Sequence, residues 1–359
     1  MTRRFGPSLV FASDKVIFDA LNHSQVPVDL IRRLLFERGI LVSHKTGKGD
    51  LAEDFSRLTA DYFDHKSIAQ KLGKVSKKER VTYTEVKEKL SLDQIKAGTA
   101  SVIQQLRDKG NIVDLVTEGG TVQVRVQYEH IDYTESEFRQ VQPRDAVIEF
   151  IPDEDNNYIV RNTHNNYIDN ATQSMFGGIE AEIGKRLLLR QISLEGFPDP
   201  EERTSFFEAL IADIEGYRLE TVTDAYCYKP KRAGVIGGDD GEERAADTER
   251  QPYVVRVTLK GSDVNKSFMV DNLYKEGYYL VKVVWQMKAK NRDYEVIELE
   301  AQFGDPSTCT EFSYQARCGI TSRDGIVTDE KRAILSGEQD IYFRLIEAAA
   351  RRALATLEA

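Results

Sequence analysis

Two short runs, Tyr253-Val-Val-Arg-Val-Thr-Leu259 and Tyr279-Leu-Val-Lys-Val-Val-Trp285, do most to restrict how this chain folds. Both are rich in β-branched and aromatic residues and alternate in polarity, as strands with one buried face do. Half-buried strands belong to antiparallel sheets, because a parallel sheet is covered on both faces and its strands read as continuous apolar runs. Further strands are expected at residues 267–270, 294–303 and 311–318. A closing amphipathic helix is expected from about residue 329, with a break at Gly337 and Tyr342, Ile346, Ala349, Ala353 and Leu357 on one side.

Upstream, residues 145–230 alternate between strands (147–151, 158–162, 187–194, 219–228) and helices (167–184, 200–214). The start Asp199-Pro-Glu-Glu202 suits the second helix, with proline in the first turn and acids against the dipole. The expected fold class is α+β: an N-terminal helical and winged-helix-like domain, a mixed α/β segment, and a largely antiparallel sheet with a C-terminal helix.

The first 130 residues differ from the rest in charge. They hold 21 Lys and Arg against 17 Asp and Glu, whereas residues 131–359 hold 28 against 42, so a net +4 precedes a net −14. Segregation of this kind points to a nucleic-acid contact at the N-terminal end. Helical spacing is clear at residues 14–22 and 27–39, with Leu30, Leu34 and Leu35 on one face, Arg32, Arg33 and Arg38 largely on the other, and Gly39 closing the helix. A third helix is expected at 50–63, with Leu51, Phe55, Leu58 and Tyr62 recurring on one side and Asp50 as its cap.

The segment Val28-Asp-Leu-Ile-Arg-Arg-Leu-Leu-Phe-Glu-Arg-Gly-Ile40, followed by Ser43-His-Lys-Thr-Gly-Lys-Gly-Asp-Leu51, resembles the SAP/HeH family of short DNA-binding helix pairs. The resemblance covers about 35 residues; the alternative for the same residues is an ordinary helical hairpin with a solvated basic turn. Residues 66–89 are lysine-rich and are read as a tether, able to lie along phosphates or simply solvated. From Thr84 a short helix ending near Leu90 and a second helix through Lys109 are expected, the latter with Ile95, Val102, Ile103 and Leu106 inward. Strands 112–117 and 121–128 follow, joined at Glu118-Gly-Gly120. That order is similar to the winged-helix family, which implies a recognition helix offering Lys96, Ser101, Gln104 and Gln105 to a major groove. The alternative is a winged helix used for protein packing.

These divisions give a SAP-like region at 1–75, a winged-helix-like region at 80–130 and an α+β body at 140–359, with a polar, acidic loop at 231–251 read as flexible. The apolar stretch near the N-terminus is too short for a signal-peptide core, and none approaches the length that crosses a bilayer. Cys227, Cys309 and Cys318 are an odd number in a long chain, which argues for reduced thiols and a cytoplasmic protein.

Catalytic signatures fail at specific places. Thr46-Gly-Lys-Gly49 has Val42 and Gly49 where a phosphate loop needs Gly and Ser or Thr. Gly237-Gly-Asp-Asp240 matches the metal-binding turn of palm domains but lacks a following strand. Glu298-Leu-Glu300 has Gln302 where a restriction-type nuclease would use lysine. The aromatic residues Tyr226, Tyr228, Tyr274, Tyr278, Tyr279 and Trp285 suit core packing better than base stacking in an acidic body. His164, within Asn162-Thr-His-Asn-Asn166, is the one suggestive histidine because it follows a strand.

The sequence therefore points to a DNA-binding, non-enzymatic cytoplasmic protein, without metal or cofactor. It would act on double-stranded DNA, with a protein partner or second copy engaged by the body. Arg32, Arg33, Lys45, Lys48, Lys77 and Lys78 are the expected phosphate contacts, with Lys96 and Gln104 at base edges. The layout resembles prokaryotic transcription regulators and components of anti-phage defence. The alternatives are an enzyme such as a diverged nuclease, with a cleft beside the 162–170 loop and the Asp271/Asn272 turn, and a structural subunit.

Overall fold

The computed structural model describes residues 12–72, 79–153, 157–230, 254–264, 268–290, 295–323 and 326–359. Among them are nine helices and twelve strands, the strands forming a large antiparallel sheet, so the fold is α+β. The chain gathers into two compact units, one made of residues 1–77, 100–116 and 124–147, the other of residues 78–99, 117–123 and 148–359.

The first unit holds α1 (Asp14–Asn22), α2 (Val28–Glu37), α3 (Lys48–Ser56) and α4 (Tyr62–Leu72). Ile17, Leu21, Leu30, Ile31, Leu35, Leu51, Phe55 and Ile68 close on one another with Phe138. The helix expected at 50–63 is thus two helices. Asp61 Oδ1 accepts from the amides of Phe63 and Asp64 at 2.8 and 2.9 Å and so starts a new helix, while Arg38 Nη2 donates to the Thr59 carbonyl at 2.7 Å. Asp50 is not a cap either; it lies in the first turn of α3, whose N-cap is Gly47.

The region read as winged-helix-like begins differently from expectation. Residues Val81–Val86 form strand β1, so the helix expected to end near Leu90 is absent and the order is strand, helix, hairpin. Val-Thr-Tyr-Thr-Glu-Val is a strand sequence by propensity, and it pairs antiparallel with strands on both sides. The 66–89 tether is accordingly part helix and part strand. The second helix stands as expected: α5 (Leu92–Asp108) buries Ile95, Val102, Ile103 and Leu106. After it come β2 (Ile112–Glu118) and β3 (Thr121–Ile131), turned at Gly119 and Gly120, whose φ of 57° and 85° favour glycine.

In the second unit β4 (Val141–Pro152) reaches β5 (Tyr158–Thr163) through its last five residues, and α6 (Asn166–Ile183) follows. The remaining elements are β6 (Leu189–Gln191), α7 (Pro200–Ala212), β7 (Tyr217–Tyr228), β8 (Arg256–Lys260), α8 (Phe268–Lys275), β9 (Tyr279–Ala289), β10 (Glu295–Asp305), β11 (Thr310–Arg323), β12 (Ile326–Arg332) and α9 (Ser336–Glu358). The strand order is β5-β1-β11-β10-β9-β7-β8, with β6 on β1 and β12 on β11. Helices α7 and α9 cover one face, over a core that includes Phe206, Phe207, Trp285, Phe303, Phe312 and Ile346.

Two expectations are overturned here. Where a strand is expected at 267–270, the described residues from Phe268 on form α8: Val270, Leu273 and Tyr274 stand at helical spacing and turn inward together. The closing helix starts at Ser336 rather than near residue 329, because β12 first adds an edge strand to β11; Gly337 lies in its first turn and does not break it. The aromatic side chains Tyr278, Tyr279 and Trp285 are buried, so they pack the core and offer no stacking surface. The 231–251 segment, with its Gly-Gly-Asp-Asp turn, lies outside the described residues. No helix among the described residues is long and apolar enough to cross a membrane.

Candidate functional site

The expected phosphate contacts fall into three groups. Arg32 and Lys48 are structural: Arg32 Nη2 donates to the His44 carbonyl at 2.8 Å, and Lys48 Nζ donates to the His23 carbonyl at 2.7 Å. Together they brace the basic turn between α2 and α3. Arg33 and Lys45 stand exposed on that helix pair, and neither side chain has an ion-pair or hydrogen-bond partner among the described residues. Lys77 and Lys78 lie outside the described residues. On α5, Lys96 is half-buried and Gln104 is exposed, its amide donating to Asp108 at 2.9 Å.

The nuclease-like carboxylates are held by cations. Glu300 accepts from Lys282 Nζ at 2.8 Å and Arg80 Nη1 at 3.0 Å, and Glu298 pairs with Arg317 at 3.4 Å. Burial alone would raise the Glu300 carboxyl, but the Lys282 and Gln315 hydrogen bonds and the charges of Lys282 and Arg80 outweigh it and hold it below the usual range. Cys227 and Cys309 are buried, and burial pushes both thiols up to about 12, far from a thiolate nucleophile at neutral pH. Among the described residues no three His, Cys, Asp or Glu side chains converge as a metal-ligand set.

The constellation best built for chemistry lies at the β5–α6 junction in the second unit. Thr82 Oγ1, on β1, donates to Asn162 Oδ1 at 2.7 Å; Asn162 Nδ2 donates to Asp169 Oδ1 at 2.7 Å. The other Asp169 oxygen lies 3.0 Å from His164 Nδ1. Asp169 is therefore fixed by an amide on one oxygen and presents the second to the imidazole. A carboxylate can only accept, so His164 carries a proton on Nδ1, and in the neutral imidazole that tautomer leaves Nε2 as the acceptor.

The chain folds this way for local reasons. Asn162 and Thr82 are opposite one another in the β1–β5 register, Asn165 caps α6 by accepting from the Ile168 amide at 3.0 Å, and Asp169 follows in the first turn. The residues surround a cavity of about 580 Å³. The sequence signal for this site is the polar loop after a strand; Thr82, Gln191 and Glu311 come from distant parts of the chain and carry no sequence signal of their own. Asp271 and Asn272, expected beside it, lie on α8 and do not line the cavity.

No known family model matches this chain, and no curated relative matches it. The SAP-like and winged-helix-like resemblances accordingly rest on the residues quoted above alone.

Proposed function

We propose that the chain is a DNA-binding protein in which the first unit contacts phosphates of double-stranded DNA and the α+β body holds a ligand or a partner. The observation that carries this reading is the braced basic turn. Arg32 and Lys48 spend their donors on backbone carbonyls, which pre-orders the turn, while Arg33 and Lys45 are left outward and unpaired among the described residues. Residues 1–77 of that unit hold 13 Lys and Arg against 9 Asp and Glu, a net +4 in a chain of net −10, which supports the same reading. A role as a prokaryotic regulator or a subunit of a defence complex fits this layout by analogy.

Fluorescence anisotropy with duplex DNA across a salt series tests it. Affinity should fall linearly in log salt, and the Arg33→Glu/Lys45→Glu variant should reduce the slope by about 2, at roughly 0.9 per phosphate contact. Absence of binding at low salt removes the reading.

A second reading, a protein-docking subunit, is favoured by one specific feature of the first unit: Phe36, Leu41 and Phe63 are large apolar side chains left 64%, 82% and 72% exposed. Light scattering of the purified chain and of Leu41→Asp separates self-association through this patch from a monomer.

A further inference from the structure

We propose that the cavity at the β5–α6 junction binds an uncharged ligand bearing ring hydroxyls, a nucleoside or a neutral sugar, and that His164 Nε2 accepts a hydrogen bond from one of its hydroxyls. The inference stands apart from DNA binding, since every residue it uses lies in the second unit.

Size comes first. At about 580 Å³ the cavity lies in the range that encloses a small molecule. Its chemistry is selective. Asn166, Asn170, Gln173 and Gln191 bring carboxamides that can both donate and accept, the complement of a hydroxyl, which also does both. Ile192, Phe176 and Phe312 supply an apolar wall against which a base or the apolar face of a sugar ring can lie.

Charge then narrows the class. No Lys or Arg among the described residues lines the cavity, whereas Asp169 and Glu311 do. A phosphate or carboxylate would meet like charge without a cation to offset it, so an anionic ligand is disfavoured and a neutral one fits.

Orientation is set by the protein's own hydrogen bonds. Thr82, Asn162 and Asp169 form a chain of hydrogen bonds that ends on His164 Nδ1, and Asn162 and Thr84 are buried. Thr84 is itself tied to Gln191, whose amide donates to its hydroxyl at 3.1 Å. A site whose polar groups are pre-positioned does not have to order them on binding.

The test is calorimetric titration of the full chain with adenosine, cytidine, glucose and ATP. Saturable binding of a nucleoside or of glucose is expected, and the arm that binds identifies the source of the hydroxyls. His164→Ala should weaken it about tenfold, the value of one hydrogen bond. Asn170 is exposed, so Asn170→Ala keeps the fold and should also weaken binding, which preserves the test if the His164 variant is unfolded. ATP should bind more weakly than adenosine or not at all. The proposal is overturned if folded protein shows no saturable binding of any neutral probe up to about 10 mM, if ATP binds as tightly as adenosine, or if both variants bind as the parent does.

Discussion

Gly98 on α5 and Gly178 on α6 meet backbone to backbone: a Cβ built on Gly178 would lie 2.0 Å from the Gly98 carbonyl oxygen, and one on Gly98 would lie 2.6 Å from Ile179 Cα. Neither contact can be relieved by turning a flexible side chain. Gly178→Ala should therefore destabilise the protein by about 3 kcal/mol or more, the upper end for overpacking. Gly177, next to it, has nothing within 4 Å of its added Cβ, so Gly177→Ala should be neutral or stabilising by about 0.5–1 kcal/mol through helix propensity. Urea denaturation of the two variants checks this, and similar midpoints would show that the helices separate easily.

Arg161 is buried beneath α9 with a carboxylate of matching geometry. Its Nε and Nη2 donate to the two oxygens of Glu347 at 2.8 and 3.1 Å, Tyr314 donates its hydroxyl to the same carboxylate, and the guanidinium lies 5.2 Å from the Phe343 ring centre. Burial first, and then the Glu347 charge, raise the Tyr314 hydroxyl well above its ordinary value, so it remains a donor at any physiological pH. Glu347→Ala should cost about 3 kcal/mol because it leaves a buried cation with poorer partners. Tyr314→Phe should cost less, about 1–2 kcal/mol, for one lost donor. Equal losses in chemical denaturation would contradict this ranking.

How much of this was legible in the sequence depends on the range of the interactions involved. Helices with strong spacing, such as Leu92–Asp108, are readable because local pattern and final burial agree, whereas Tyr279–Ala289 is a strand as its β-branched and aromatic residues suggest but is buried on both faces rather than half-buried. β1 was misread because Thr84 to Leu90 also suits a helix, and its strand state is fixed by partners 80 and more residues away, Thr163 and Tyr314. β12 is likewise an edge strand defined by its pairing with β11. His164 was visible as a polar loop after a strand. Its partners Thr82 and Gln191 were not, since only the sheet register brings them alongside.

Arg38 ties the end of α2 to the start of α4. Its Nη1 donates to Asp64 Oδ1 at 3.0 Å, its Nη2 to Asp64 Oδ2 and the Thr59 carbonyl, and its guanidinium sits 4.6 Å from the Phe55 ring centre. Burial would raise the Asp64 carboxyl, but the bonds from Arg38 and the Asp61 amide, with the Arg38 charge, hold it below its ordinary range. Arg38→Met should cost about 2–3 kcal/mol by leaving that buried carboxylate without its cation. Arg38→Lys should recover little, since an ammonium cannot reproduce the fork or lie on the ring as a plane. Full recovery in the lysine variant would show that charge alone matters.

His65 gives the first unit a pH dependence of definite sign. Its ring stacks on Phe138 with centroids 4.3 Å apart, and its buried Nε2 has no hydrogen-bond partner among the described residues. Burial lowers its pKa below the ordinary 6.5, and the Glu137 charge only partly opposes this. The unfolded chain thus binds a proton at a higher pH than the folded one does, so stability is intact above 6.5 and declines as pH falls from there toward the folded value. Asp64, whose carboxyl is held below 3.8, loses its contribution only as pH falls through that lower range. Urea midpoints taken between about pH 7.5 and 5 should fall for the parent chain and fall less steeply for His65→Gln. If the variant keeps the full slope, the dependence belongs to other groups and the His65 ring does not stay neutral in the folded unit.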